Sequence, residues 1–473
     1  MQLSIYNTMS RKIEPFIPLK AGEALMYCCG PTVYNYAHIG NLRTYLFEDI
    51  LRRVLEYNHY KVTHVMNVTD VGHLSDDGDD GEDKMVKSAR EKNMSVYEIA
   101  QMYTQAFFED TDALNILRPS VACKATEHIA DMIKLIERLE AKGHTYIAGG
   151  NVYFSIDTWP RYGELARLDV EELQAGARIA VDPNKRNPLD FVLWFTHSKF
   201  ANQTMLWPSP WGVGYPGWHL ECSAMSMKYL GESFDLHCGG IDHIPVHHTN
   251  EIAQSEAATG KKWVNYWVHG EFLINETGKL SKSKGEFLTL SYLRERGYDP
   301  LDYRYFCLGG HYRSQLVFSW QSLDAARSAR RRLVNQVVAL KEQVHNLPTK
   351  LSSAAQQYVE TFVSHLNSDL NTPRGLALLW TLLKDEALSG GEKLAVIYEA
   401  DKILALSLKE SEAEQVVIPS EVQALIDQRS QAKAAKDYAK ADELRAIVQE
   451  LGYSLKDTVD GTIVTKTCNQ NGR

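Results

Sequence analysis

Residues 25–70 read LMYCCGPTVYNYAHIGNLRTYLFEDILRRVLEYNHYKVTHVMNVTD, and their hydrophobic rhythm decides the fold. Residues 25–30, LMYCCG, are a short buried strand by composition, ending at Gly30-Pro31. Leu42, Leu46, Ile50 and Val54 then recur at helical spacing, with Ala37-His38-Ile39-Gly40 just ahead of them. VTHVMNV (62–68) reads as a second apolar strand. Strand, glycine-containing turn, helix and strand open a βαβ unit, which predicts an α/β fold around a parallel sheet. A turn feeding a helix N-terminus suits phosphate, through free backbone N–H groups and the helix dipole. His38 could donate to a phosphate oxygen, and Gly40, with no side chain, would let a purine ring or phosphate approach the backbone. The same residues also fit an ordinary loop.

A chain of 473 residues is too long for one compact core, so two to four domains are expected. Its 44% hydrophobic and 23% charged residues are those of an ordinary soluble protein. No run of 18 apolar residues occurs, and MQLSIYNTMSRK lacks the apolar core of a signal peptide. A cytoplasmic protein without membrane partners is expected. Seven cysteines, an odd number spread over a long chain, favour reduced thiols, some on a metal, over a disulfide framework. The net charge of −9 argues against a generic nucleic-acid coat, although local patches decide such binding. Two patches stand out: Arg327 with Arg330, Arg331 and Arg332, and Lys433 with Lys436, Lys440 and Arg445. Each also reads as a solvated helix face.

The stretch Trp218–Glu251, WHLECSAMSMKYLGESFDLHCGGIDHIPVHHTNE, concentrates metal-binding chemistry. It holds Cys222, Cys238 and the histidines His219, His237, His243, His247 and His248. Thiolate and imidazole donors gathered this way suit zinc. On a helix, His247 and Glu251 would point from one face at one ion. A polar loop without metal is the alternative.

Elsewhere the pattern is clearer for structure than for chemistry. LSDDGDDGEDK (74–84) is acidic and glycine-rich, but its spacing does not match an EF-hand, so a solvated loop is expected. Residues 85–118 and 127–142 are helical by pattern, the second ended by Gly143. NVYFSI and FVLWF look like strands inside a Gly- and Pro-rich insertion over 151–217. WVHGEFLI (267–274) is strand-like, and the following NETGKLSKSKGEF places Lys279, Lys282 and Lys284 in a basic loop suited to polyphosphate or simply solvated. Helical segments follow through 320–345, 351–369, 374–388 and 391–407, punctuated by prolines. The tail reads as a charged helix pair and a hairpin turning at Asp460-Gly461.

The order and spacing of these sites resemble a known family. PTVYNYAHIGN followed far downstream by KLSKS resembles the HIGH and KMSKS motifs of class I aminoacyl-tRNA synthetases. Within that class the chain resembles cysteinyl-tRNA synthetases nearly end to end, through YCCGPTVYNYAHIGN, RNPLDFVLW, PGWHLECSAM, HHTNEIAQSE, FCLGGHYRS and KDYAKADELR. The resemblance implies a Rossmann-like catalytic domain in two halves, residues 1–118 and 206–290, around a connective insertion at 119–205. A stem at 291–319, an all-α helical bundle at 320–412 and a small anticodon-side domain at 413–473 would follow.

It also implies one Zn2+ per chain on Cys29, Cys222, His247 and Glu251, with Cys28, His237 and Cys238 outside the ligand set. ATP, accompanied by Mg2+ on general phosphoryl-transfer grounds, would meet His38, Gly40 and Asn41, together with Lys279 and Lys282. Trp218, beside the metal cysteine, would pack against the small substrate side chain. Asn41 stands where the family motif has its second histidine, so it donates a hydrogen bond without carrying charge. Leu280 for methionine in KLSKS conserves volume.

The implied activity is cysteine–tRNA ligation: cysteine and ATP give cysteinyl-adenylate and pyrophosphate, and the cysteinyl group passes to tRNA(Cys). A monomer is expected. Two other readings are a cysteine:amino-sugar ligase of mycothiol type, against which residues 374–473 argue, and a non-catalytic zinc-stabilised RNA-binding protein, which would not need both HIGN and KLSKS.

Overall fold

The computed structural model describes residues 2–71, 84–168, 182–197, 204–275, 278–279, 287–412, 419–458 and 461–466. The acidic loop, Lys282, Lys284 and the predicted turn residue Asp460 lie outside the described residues. Two compact units divide the chain, Met1–Glu410 and Ser411–Arg473.

A hairpin of β1 (Ser4–Asn7) and β2 (Lys12–Pro15) leads into β3 (Glu23–Cys28), α1 (Ile39–Tyr57) and β4 (Lys61–Val68). These last three are the βαβ unit expected from the sequence. The predicted helix over 85–118 is instead two, α2 (Lys84–Lys92) and α3 (Val96–Ala113). Asn93 turns left-handed at φ 53°, and Ser95 with Glu98 forms a capping box that restarts the helix. After β5 (Val121–Lys124) and α4 (Ile129–Ala141), strands β6 (Thr145–Ala148), β7 (Asn151–Phe154), β8 (Phe191–Phe195) and β9 (Tyr215–Pro216) form a separate antiparallel sheet. The chain returns through α5 (Trp218–Leu230), β10 (Phe234–Gly240), α6 (His247–Thr259) and β11 (Val264–Gly270).

The central sheet runs β11-β10-β3-β4-β5 with every pair parallel. From β3 the chain winds outward one way, and from β10 the other. The β3–β10 seam is therefore a topological switch point, where a crevice opens beyond the strands' carboxyl ends. Both faces are covered, so among the inner strands β10 is buried throughout and β4 from His64 to Val68. Their alternation assigns side chains to faces: Met26, Cys28, Leu236 and Cys238 join the core packed against α1. Tyr27, Cys29 and Trp267 join the opposite core, with residues of α4, α5 and α6.

The predicted strand 267–274 is divided. β11 ends at Gly270, where a Cβ would come within 2.6 Å of the Phe47 ring. The chain then steps into β12 (Leu273–Asn275), which pairs with β13 (Gly278–Lys279) and, in parallel, with β14 (Leu316–Val317). Between these lie α7 (Leu290–Glu295) and α8 (Pro300–Leu308). Four helices, α9 (Trp320–Gln343), α10 (Ser353–Asn367), α11 (Thr372–Lys384) and α12 (Gly390–Leu404), complete the first unit.

Arginines of the first patch are engaged inside this unit. Arg330 donates to the buried Asp302 at 3.0 Å, Arg327 lies over the Tyr298 ring, and Arg332 over Trp380. The second unit packs α13 (Ser420–Ala434) and α14 (Tyr438–Glu450) on the hairpin of β15 (Tyr453–Thr458) and β16 (Gly461–Lys466). Arg429 grips Asp457 through two bonds of 2.9 and 2.7 Å.

One buried ion pair joins α1 to the helical part of the first unit. Arg304, fully buried, donates to Asp49 at 2.6 Å and to the carbonyls of Leu114 and Leu404 at 2.8 and 2.7 Å. Asp49→Ala strands that guanidinium in the core, so the variant should lose about 3–5 kcal/mol of stability, and adding Arg304→Met should restore most of it. Urea unfolding followed by circular dichroism measures both. A single variant within about 0.5 kcal/mol of the parent would show that the pair carries no such cost.

Candidate active site and metal centre

A cavity of about 280 Å³ opens at the β3–β10 seam. Its rim includes Tyr36, His38 and Asn41, and its wall toward the sheet includes Cys29, Cys222 and His247. The rim comes from the first turn of α1. His38 is its N-cap, and its Nδ1 accepts from the Asn41 backbone N–H at 3.1 Å. A neutral ring accepting at Nδ1 carries its proton on Nε2, which makes His38 a donor for an anion's oxygen. Gly40 leaves room for this cap. A Cβ there would lie 2.9 Å from His38 Nδ1 and Cε1, so the bare α-carbon makes room for the capping imidazole. Lys279 is the last residue of β13, paired with Ile274.

The inner wall gathers donors from three elements. Cys29 follows β3, Cys222 lies on α5, and His247 and Glu251 stand one turn apart on α6. One ligand atom from each lies within 4.8 Å of all the others, and all four residues are buried. Strand alternation explains which of the two adjacent cysteines takes part: Cys28 faces α1, and Cys29 faces the cluster. Gly30 permits the close approach, since a Cβ there would fall 1.7 Å from the Asn67 carbonyl oxygen.

Electrostatics inside the cluster favour a cation. Burial alone would raise Glu251, but His247 and His237, each with Nε2 2.7 Å from one of its oxygens, hold it well below the ordinary carboxylate range. Burial would lower His247, but Glu251 and Cys222 push it up to about 10. Cys222 is pulled down to about 6, because the Cys29 thiol and His247 outweigh its burial. Both Glu251 oxygens lack a well-formed hydrogen bond despite complete burial. Tetrahedral ligands at 2.0–2.3 Å from one zinc ion sit roughly 3.3–3.8 Å apart. The donor set of two sulfurs, an imidazole nitrogen and a carboxylate oxygen therefore fits a divalent metal.

A second grouping, Cys29 with His237, His248 and Glu251, satisfies the same distance limit. Trp218 does more than border the cysteine: its ring stacks on His247 at 4.2 Å between centroids. Sequence reasoning passed over the residues behind the ligands. His219 Nδ1 lies 2.9 Å from His247 Nδ1, and His248 Nε2 lies 3.3 Å from Cys29 Sγ. The His247-His248 doublet was the available signal. Gly239 is the other: a Cβ there would meet His243 Nδ1 at 2.7 Å and His248 Cε1 at 2.9 Å.

This sheet, with its crevice between a histidine-capped helix and a buried donor cluster, has the architecture of class I aminoacyl-tRNA synthetases. Mycobacterium tuberculosis methionyl-tRNA synthetase, solved in complex with methionyl-adenylate, shares the fold with a TM-score of 0.57 over 83% of this chain and 94% of that one, at 13% identity. The family model for the tRNA synthetases class I (C) catalytic domain matches residues 15–328, and that for the cysteinyl-tRNA ligase anticodon binding domain matches residues 417–463.

Cysteine–tRNA ligase of Treponema denticola is 53% identical, covering 98% of this chain and 99% of that protein. Cysteine–tRNA ligase 1 of Burkholderia lata is 48% identical, covering 98% and 96%. Cysteine–tRNA ligase of Borreliella burgdorferi is 45% identical, covering 98% and 100%. The chain belongs to the cysteine–tRNA ligase family.

Arg43, one turn along α1 from the capped end, braces the segment leading to Lys279. Its buried guanidinium donates to the carbonyls of Glu271 and Phe272 at 2.7 and 2.5 Å, and to those of His311 and Ser314 at 3.2 and 2.5 Å. Hydrogen bonds to a charged donor contribute about 1.5–3 kcal/mol each. Arg43→Met should therefore speed amide hydrogen exchange at residues 271–275 by about tenfold or more while β3 and β4 stay protected. Unchanged exchange there would remove Arg43 from this role.

Proposed function

We propose that this chain acts as a cysteine–tRNA ligase in which zinc selects the substrate by its sulfur. Cysteine carboxylate attacks the α-phosphorus of ATP, pyrophosphate leaves, and the terminal ribose hydroxyl of tRNA(Cys) then takes the cysteinyl group. One observation carries the reading: the His38–Asn41 helix start and the Cys29, Cys222, His247 and Glu251 donors line or border one cavity.

The first step builds charge on phosphate oxygens, so it needs donors aimed at the transition state rather than a protein nucleophile. His38 Nε2–H and the Asn41 side chain supply neutral donors at the start of α1, where the helix dipole adds to them. Lys279 and Lys282, assigned by the KLSKS motif, supply positive charge to the same polyphosphate, and Mg2+ accompanies the ATP. Trp218, stacked on His247, closes the side-chain pocket against water and bulk.

Cys29, Cys222, His247 and Glu251 would hold the zinc, which supplies a Lewis acid that takes thiolate sulfur far better than alcohol oxygen. Such selection is needed because serine differs from cysteine by one atom, and pocket shape separates similar pairs by only about 10–200-fold. With four protein donors already at the site, either one would be weak or the ion would take a fifth ligand, and Glu251, the lone oxygen donor, would be the weakest toward a soft metal. The anticodon-side residues read tRNA through the second unit. There Lys433 and Lys440 are already paired with Asp457 and Glu443, whereas Lys436 is exposed at a left-handed turn.

Cysteine-dependent ATP–pyrophosphate exchange tests the activity. Exchange should be strong with cysteine and lower by more than about 10³-fold with serine, because the distinction exceeds what shape supplies. Exchange with neither amino acid, or equally with both, refutes the reading. A separate titration addresses the metal contact: in the cobalt-substituted protein, cysteine should strengthen the sulfur-to-metal absorption and serine should not. An unchanged spectrum on adding cysteine excludes direct contact between substrate sulfur and metal.

A further inference from the structure

Behind Cys29 runs a buried chain of hydrogen-bonding groups drawn from four separate parts of the sequence. Thr8 Oγ1 lies 2.7 Å from His269 Nδ1, His269 Nε2 lies 2.8 Å from His248 Nδ1, and His248 Nε2 lies 3.3 Å from Cys29 Sγ. Thr8 follows β1, His269 sits on β11, His248 on α6, and Cys29 just beyond β3. None of the four exceeds 6% exposure, so no solvent competes for these contacts. Residues bearing hydrogen-bonding side chains in a core are costly unless each group is satisfied. Here both imidazoles use both nitrogens.

The chemistry of its end fixes the direction of the chain. A neutral imidazole has one donor nitrogen and one acceptor. A cysteine holding a metal is a thiolate, which carries no proton and can only accept. His248 must then donate from Nε2 and accept at Nδ1. His269 must in turn donate from Nε2 and accept at Nδ1, and the Thr8 hydroxyl is the donor that remains. Every member of the chain has the donor and acceptor this requires, so one tautomer of each ring satisfies all three contacts at once.

We infer that Thr8, His269 and His248 form a directed hydrogen-bond chain that delivers an N–H to Cys29, making His248 a positioning residue for amino-acid selection. The inference rests on the zinc reading above. A hydrogen bond to a ligand sulfur draws electron density from it, so Cys29 gives less to the ion. The ion is left more acidic toward an incoming sulfur. The bond also fixes the Cys29 side chain, while His237 Nε2 lies 2.7 Å from the far oxygen of Glu251. Partners behind metal ligands commonly affect metal affinity or activity by 10–100-fold.

The test compares the full-length protein with His248→Phe, His248→Gln and Thr8→Val, all cobalt-substituted and read by absorption, with zinc content measured in parallel. Loss of the N–H raises the energy of the sulfur lone pairs, so the sulfur-to-cobalt band should move to longer wavelength in His248→Phe. His248→Gln, whose amide can still donate, should keep the band near its original position. In pyrophosphate exchange, His248→Phe should raise the KM for cysteine by about tenfold with the KM for ATP little changed.

A band at the original wavelength in a fully metallated His248→Phe overturns the chain. Should that variant not fold, Thr8→Val decides: a smaller shift in the same direction supports the chain, and no shift overturns it. A parent protein that binds neither zinc nor cobalt fails differently, since it refutes the metal reading on which the inference stands.

Discussion

Glu251 is a carboxylate with no exposure to solvent, and the site is organised around that fact. Moving such a group out of water costs several kcal/mol unless charge and hydrogen bonds compensate it. His247 and His237 supply the compensation from opposite sides, one from the same helix and one from β10. The helix that carries Glu251 is itself unusual. α6 is polar on most of its surface, yet every residue from His247 to Ala258 is buried. A helix polar all round does not enter a core by hydrophobic burial. It stays there because neighbours satisfy it: Gln254 donates to Ser223 Oγ, Ser255 to the same oxygen, and Tyr162 to Asn250, while Glu256 accepts from the Trp263 backbone. Such a helix gives up packing energy to hold chemistry in place, the kind of local inconsistency expected at a functional site.

Local order was legible in the sequence where the physics is local. The apolar runs of β3 and β4 and the spacing of α1 follow from burial on both faces of a parallel sheet. The break between α2 and α3 was also legible, since Ser95-Val96-Tyr97-Glu98 is a capping-box pattern, although apolar periodicity across it suggested one helix. The end of β11 was not legible. Gly270 matters because Phe47, more than 200 positions earlier, packs on its bare α-carbon. The same limit applies to the site. His247 and Glu251 are one turn apart and announce themselves, but Thr8, His248 and His269 meet only through the sheet. At Gly40, too, the sequence does not show that the imidazole two positions back packs against the bare α-carbon.

The choice between Cys28 and Cys29 illustrates how fold converts a sequence ambiguity into chemistry. Adjacent residues on a strand face opposite ways, so one thiol must enter each core. Cys28 joins the core under α1, where it lies in register with Cys238 on β10. Cys29, directly after the strand, reaches the other face at the switch point. Family resemblance named Cys29, and the pleat of β3 is why it, rather than Cys28, joins the donor cluster.

α1 is the element that relates the two ends of the cavity. Its first turn carries His38 and Asn41, and the segments before and after residues 280–286 are both fastened to it. Arg43 holds the carbonyls of Glu271 and Phe272 on one side, while Ile39 N–H bonds to the Leu288 carbonyl at 2.8 Å on the other. Tyr303 adds a bond to the Ile39 carbonyl at 2.6 Å, and Asp49 ties the helix to Arg304. Phosphate chemistry needs donors held to within a fraction of an ångström, and secondary-structure elements hold such positions better than loops. Fastening both flanks of the lysine-bearing segment to the helix that carries the histidine makes one rigid body the common reference for both. The donor cluster then rests on the end of β3 and on α5 and α6, the His38–Asn41 turn on α1, and the parallel sheet sets the distance between them.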